Sequence, residues 1–182
     1  LQSSLDAKQD VGSGSGGGSG GGWSQDNLFI AENTNVNNMG NTTEYFVGLG
    51  TVVKSSPYIS INNGVISVDT DGWYNIIYSG ELEQRRTNYS NRMRIRMGFW
   101  CVEDNNLDSN VFWSDIYLRG NTGNGSTELT RYGYINNSGY TLLSSSKTYR
   151  LVINGAIGNS YYNNDLDNIY LLQAKIQIEK MV

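Results

Sequence analysis

The chain is 182 residues long and sets 13 Lys and Arg against 17 Asp and Glu, a formal net charge of −4 that argues against sequence-independent binding to nucleic acid. It contains no His and one Cys, Cys101, so a Ser-His-Asp triad, the usual imidazole-based zinc site and an intrachain disulfide are all excluded. No apolar run approaches the ~20 residues of a membrane-spanning helix, and no phosphate-cradling or dinucleotide motif is present. A soluble chain without membrane insertion and without a cofactor is therefore expected.

The first segment, "LQSSLDAKQDV" (1–11), places Leu1 and Leu5 four apart on one face of an otherwise polar helix. Such a stub is too short to stand alone in water, so it reads as the end of a coiled-coil shaft. A chain opening on Leu1 is expected to be a fragment or a processed product. Residues 12–22 are only Gly and Ser, without the period or the Pro of collagen. As a free coil this linker spans about 18 Å root-mean-square.

The head domain, 23–182, is expected to be all-β. Strands are read at "NLFIAE", "TEYFVGLGTVV", "YISIN", "GVISVD", "GWYNIIYSGELE", "RMRIRMGFWCV", "NVFWSDIYL", "ELTRYGYI", "TYRLVINGAI" and "IYLLQAKIQIEKM". Asn-Gly, Asp-Gly and Asn-Asn signals separate them. The single Pro, Pro57, falls just before a strand, where its missing N–H does no harm. About ten strands in a domain of this size imply two sheets packed face to face, a sandwich or jelly roll.

The stretch "YISINNGVISVDTDGWYNIIYSGELE" resembles the signature of the tumour necrosis factor-like jelly roll, shared with complement-type globular heads. Gly64, Ile66 and Val68 lead there to Asp71, Gly72, Trp73 and Tyr74. "TYRLVINGAI" and "IYLLQAKIQIEK" are similar to the last two strands of that fold. The resemblance implies a homotrimer. The front end, "LQSSLDAKQD", is similar to shaft-to-head junctions of bacteriophage tail and head fibres. With that resemblance, the Gly/Ser run becomes the joint at which three chains splay from a narrow shaft into a wider head.

In "RMRIRM", Arg92, Arg94 and Arg96 alternate with Met93, Ile95 and Met97, giving one basic and one apolar face. Such a face serves either as an anion-binding stripe or as a strand whose Arg pair with carboxylates, expected across the trimer; the second reading fits the acidic total better. Carboxylate pairs suited to glycoside cleavage occur at Asp69/Asp71, Glu81/Glu83, Glu103/Asp104 and Asp165/Asp167, at a frequency expected by chance from seventeen acidic residues. "EDNNLDSN" and "YYNNDLDN" offer oxygen ligands but match no calcium-loop spacing, so no metal is expected.

If successive strands are antiparallel, three connections point away from the shaft: 84–91, 119–127 and 158–168. They carry Arg85, Arg86, Tyr89, Asn121, Asn124, Tyr161, Tyr162, Asn163 and Asp165. Aromatic faces stack on sugar C–H surfaces while Asn and Asp bond hydroxyls, so these are the candidate receptor-binding residues. The expected protein is a non-enzymatic homotrimeric fibre tip on a virion surface, joined to shaft or other virion proteins through its N-terminal side and binding a host cell-wall or capsular saccharide. The alternatives are a structural or decorating fibre, a spore-surface protein of similar fold, or a saccharide depolymerase.

Overall fold

The computed structural model describes residues 25–40, 44–86, 92–104, 113–119, 129–155 and 169–181. The expected helical stub and the Gly/Ser linker lie outside them. After a 3-10 turn at Gln25–Asn27 come twelve strands among the described residues: β1 (Leu28–Asn33), β2 (Asn37–Asn38), β3 (Glu44–Phe46), β4 (Thr51–Lys54), β5 (Ile59–Asn62), β6 (Val65–Val68), β7 (Gly72–Arg86), β8 (Arg92–Cys101), β9 (Trp113–Arg119), β10 (Leu129–Leu143), β11 (Thr148–Gly155) and β12 (Ile169–Lys180).

Pairing is antiparallel throughout and makes two sheets. Sheet A runs β10-β7-β12-β1-β4, with β2 beside β12; sheet B runs β5-β6-β11-β8-β9, with β3 beside β11. Strand β1 pairs with β12, β6 with β11, β7 with β10 and β8 with β9. Those four pairings are the rungs of one long hairpin. Rolling that hairpin brings β12 against β7 and β11 against β8, and this is the winding of a jelly roll.

The inner faces close on each other. Phe29, Tyr74, Ile76, Tyr78, Leu82 and Ile176 from sheet A meet Ile66, Ile95, Met97, Phe99, Leu151 and Ile153 from sheet B, all buried. Tyr78 is 1% exposed and its hydroxyl donates to the Met97 carbonyl at 2.8 Å, tying the two sheets together. Gly80 permits the same close approach, because a Cβ there would lie 2.8 Å from Met97 Sδ. The β5–β6 hairpin turns on Asn63 and Gly64, with φ of 49° and 76°, the two left-handed residues of a type I′ turn. At Gly64 a Cβ would also strike the Val47 carbonyl oxygen at 2.7 Å.

Two sequence expectations change, and the last strand carries an irregularity. "TEYFVGLGTVV" is not one strand: β3 joins sheet B and β4 joins sheet A, with buried Val47 and Leu49 crossing between them. "NNSG" (136–139), which looks like a turn, lies inside β10, because that strand is held against β7 along all 15 of its residues. The last strand changes phase at Leu172, where the register shifts between Leu171 and Gln173; the bulge puts both Leu171 and Ala174 inward.

Candidate functional site

Alternation along β7 and β10 sends every second side chain of sheet A outward. On that outer face Trp73 is 57% exposed, Tyr132 59%, Tyr134 67%, and Tyr140 and Leu142 62% each, with Ile77 beside them. Trp73 stands opposite Leu142, and Ile77 opposite Ser138. Large apolar side chains gathered on one sheet face exceed what a monomer normally scatters over its surface. The polar centre of the face is held in place: Glu81 accepts from the Tyr134 hydroxyl at 2.9 Å and from Gln173 Nε2 at 2.7 Å. A groove of about 200 Å³ runs there past Glu32 and Lys175.

Both Leu28 and Lys180 lie at one end of the sandwich, since Leu28 pairs with Glu179 and the Met181 N–H donates to the Trp73 carbonyl at 2.9 Å. At this base, an open cleft of about 430 Å³ is lined by Trp73, Phe99, Tyr140, Tyr149, Asp71 and Lys147 among others. Its charged groups are already engaged. Asp71 Oδ1 accepts from the Ser145 N–H at 2.6 Å and from the Ser145 and Ser144 hydroxyls. The backbone bond from Ser145, then those hydroxyls, hold the Asp71 carboxyl below its ordinary value. Lys147 pairs with Asp104 at 2.6 Å, and Glu103 accepts from the Thr148 N–H and hydroxyl. Burial pushes Glu103 up, but the Thr148 bonds outweigh it and leave that carboxyl low as well. A general acid for glycoside cleavage needs a raised carboxyl, the opposite of both. These contacts latch the base of the fold.

The outer face of sheet B answers the question raised by "RMRIRM". Arg94 Nε donates to Asp115 Oδ2 at 2.7 Å, its Nη2 reaches the same oxygen, and Arg96 Nε donates to Asp115 Oδ1 at 3.1 Å. The arginines do pair with a carboxylate, but it belongs to the neighbouring strand β9 of the same chain. Register explains this, because Arg96 and Asp115 are directly opposite. Arg96 also lies over the Trp113 ring, Cζ 3.6 Å from its centroid. Farther along, Phe46 stacks on Trp100 with centroids 5.5 Å apart and planes 9° apart, and Arg150 Cζ lies 5.0 Å from the Phe46 centroid.

Strand ends β7/β10, β8/β9 and β11/β12 gather at the end opposite Leu28: Arg86 pairs with Leu129, Arg92 with Arg119, and Ile169 with Gln84. Arg85 and Arg86, read from sequence as loop residues, are the last two residues of β7, paired with Thr130 and Leu129. Tyr89, Asn121, Asn124, Tyr161, Tyr162, Asn163 and Asp165 lie outside the described residues, as do 105–110 of "EDNNLDSN" and all of "YYNNDLDN". Among the described residues no three His, Cys, Asp or Glu side chains converge on a metal-sized space. Sequence reading missed the outer face of sheet A, although its signal, Tyr132, Tyr134, Tyr140 and Leu142 at even spacing, was in the chain.

These features define a jelly-roll β-sandwich domain whose sheet A carries an exposed aromatic outer face. No protein-family profile matches the chain, and no curated protein is significantly similar in sequence. Among solved structures, the chain is similar to the globular domain of zebrafish complement 1qA protein, at 8% identity and a TM-score of 0.46, covering 85% of this chain and 96% of that one. It is also similar to murine APRIL, at 10% identity and a TM-score of 0.43, covering 84% and 97%. The jelly-roll assignment rests on the strand order itself.

Proposed function

We propose that this chain is the head of a homotrimeric bacteriophage fibre tip, displayed on the virion surface, that attaches to a host cell-wall or capsular saccharide. The observation that supports the oligomeric part of this reading is the uncovered face of sheet A, where Trp73, Tyr132, Tyr134, Tyr140 and Leu142 are each more than half exposed. Covering such a face with another copy of itself removes apolar area from water, the dominant favourable term in association. Polarity of the fold supports the same reading. The start of β1 and the end of β12 share the base, on the side where a shaft attaches, and the strand ends that flank 87–91, 120–128 and 156–168 gather at the far end. In this arrangement sheet A faces the three-fold axis and sheet B faces outward.

The test is molar mass by light scattering on residues 1–182, followed by attachment to host bacteria. A mass near three times 20.2 kDa and saturable attachment are expected. Tyr161→Ala/Tyr162→Ala is expected to weaken attachment without changing the mass. A monomer sinks the trimeric reading, and an intact trimer that attaches to no cell makes the chain a structural fibre.

A further inference from the structure

The outer face of sheet B carries a constellation for which the trimeric reading gives no use. Phe46, Val152, Gly98 and Trp113 form one row across β3, β11, β8 and β9, each opposite the next. With neighbouring strands about 4.8 Å apart, the two ring-bearing backbones are separated by roughly 14 Å. Gly98 contributes no side chain, so the row has a ring at each end and a low point between them. Phe46 and Trp113 are each 41% exposed, whereas Val152 at 3% and Trp100 at 8% are shut beneath the surface.

Each exposed ring carries an arginine, and the two arginines differ in charge balance. Arg96, over Trp113, shares Asp115 with Arg94. Arg150, over Phe46, is in no ion pair among the described residues, and its Nε is buried without an acceptor. Its cross-strand neighbour Trp100 has an equally unpartnered Nε1–H. Asn154, on the same face and 9% exposed, leaves its Oδ1 without a donor. Buried polar atoms are ordinarily paired, so three on one face mark a place where the isolated chain is incomplete. Two of the three are donors, and one of these is part of the Arg150 guanidinium, which carries a full positive charge, so the missing group is an anionic acceptor.

We infer that this face binds an acidic saccharide: its carboxylate meets the planar fork of Arg150, and the C–H face of its ring packs on Phe46 or Trp113. A carboxylate suits the fork because two parallel N–H donors match its two oxygens. Phe46 is stacked on Trp100 and Trp113 lies under Arg96, so the part of each ring left exposed is the apolar surface on which a pyranose packs, and a neutral sugar leaves the Arg150 charge unmatched. This inference rests on the reading of the chain as a saccharide-binding head, deepens it by naming a sugar class, and adds a second contact on the side of the trimer, separate from the apical connections.

The test titrates the intact protein with oligogalacturonate, hyaluronan fragments and sialyllactose, each beside a neutral counterpart (methyl-esterified oligogalacturonate, methyl-esterified hyaluronan, lactose). Calorimetry and tryptophan fluorescence report binding, and host attachment is measured in parallel. At least one acidic probe is expected to bind saturably and at least tenfold more tightly than its neutral counterpart. Arg150→Gln is expected to weaken it about tenfold, Arg150→Lys to restore only part of the loss, and Trp113→Ala to weaken it while melting as wild type does. Tyr161→Ala/Tyr162→Ala is expected to leave it unchanged. The inference is overturned if no acidic probe binds, if acid and neutral forms bind alike, or if both Arg150→Gln and Trp113→Ala bind as wild type. Attachment to cells without acid binding leaves the fibre-tip reading standing and removes this site; acid binding without attachment or without a trimer does the reverse.

Discussion

Replacing Tyr78 by Phe removes the hydroxyl that ties the two sheets together, which also bonds with Ser114 and Asn137. The ring stays, so no cavity forms, and only the hydroxyl that donates to the Met97 carbonyl at 2.8 Å is lost. Tyr78 is 1% exposed, so water does not replace the lost donor. A buried hydrogen bond removed in this way costs about 1–2 kcal/mol. For a domain of this size that corresponds to a fall in melting temperature of roughly 3–6 °C. High pH adds a second signature. Burial pushes the Tyr78 hydroxyl above its ordinary value, so the native fold keeps it protonated where the unfolded chain begins to ionise. Its contribution is thus complete below pH ~10 and falls as pH rises through the native value. At pH ~11 the unfolded chain gains about 1.4 kcal/mol from each phenol that the fold holds protonated. Wild type and Tyr78→Phe should therefore differ clearly at pH 7 and differ less as pH rises above ~10. Urea or thermal melts at both pH values measure this. A variant as stable as wild type at pH 7, with a gap that does not change with pH, would refute the reasoning.

Gly64→Ala is expected to cost roughly 2–3 kcal/mol in denaturant melts, from a left-handed φ together with a backbone clash. Gly48→Ala, which meets nothing within 4 Å, should stay within about 0.5 kcal/mol of wild type; equal effects would contradict the account of the turn. Leu142→Asp places a charge on the uncovered face of sheet A without touching the core, so light scattering should show a smaller oligomer at unchanged fold by circular dichroism. An unchanged mass would remove that face from the interface. Asp71 and Glu103 sit below their ordinary values, so their contribution is present above the unfolded carboxylate range near pH ~4 and is lost as pH falls through the lower native values. Asp71→Asn/Glu103→Gln should accordingly lose less melting temperature than wild type between pH 5 and pH 3, and a parallel loss would argue against the latch at the base.

Much of the fold can be read from local chemistry. Apolar residues at every second position, as in "GVISV" and "KIQIE", can bury only one face of a strand, and Asn63-Gly64 can adopt the tight left-handed turn that closes a hairpin. These demands are set within a few residues, so they survive whatever the rest of the chain does. Alternation alone also required Arg94 and Arg96 to share a face. Their partner was a different matter, because Asp115 becomes their neighbour only when β9 pairs with β8 in one register. "NNSG" looked like a turn on its own and became strand because β7 offered an unbroken ladder beside it. The Phe46–Val152–Gly98–Trp113 row draws on four strands far apart in the chain, and no window of sequence contains it. Side-chain period and turn type are local consequences of backbone sterics, whereas which carboxylate meets which arginine, and which rings share a face, follows from long-range strand pairing that only the rolled-up sandwich decides.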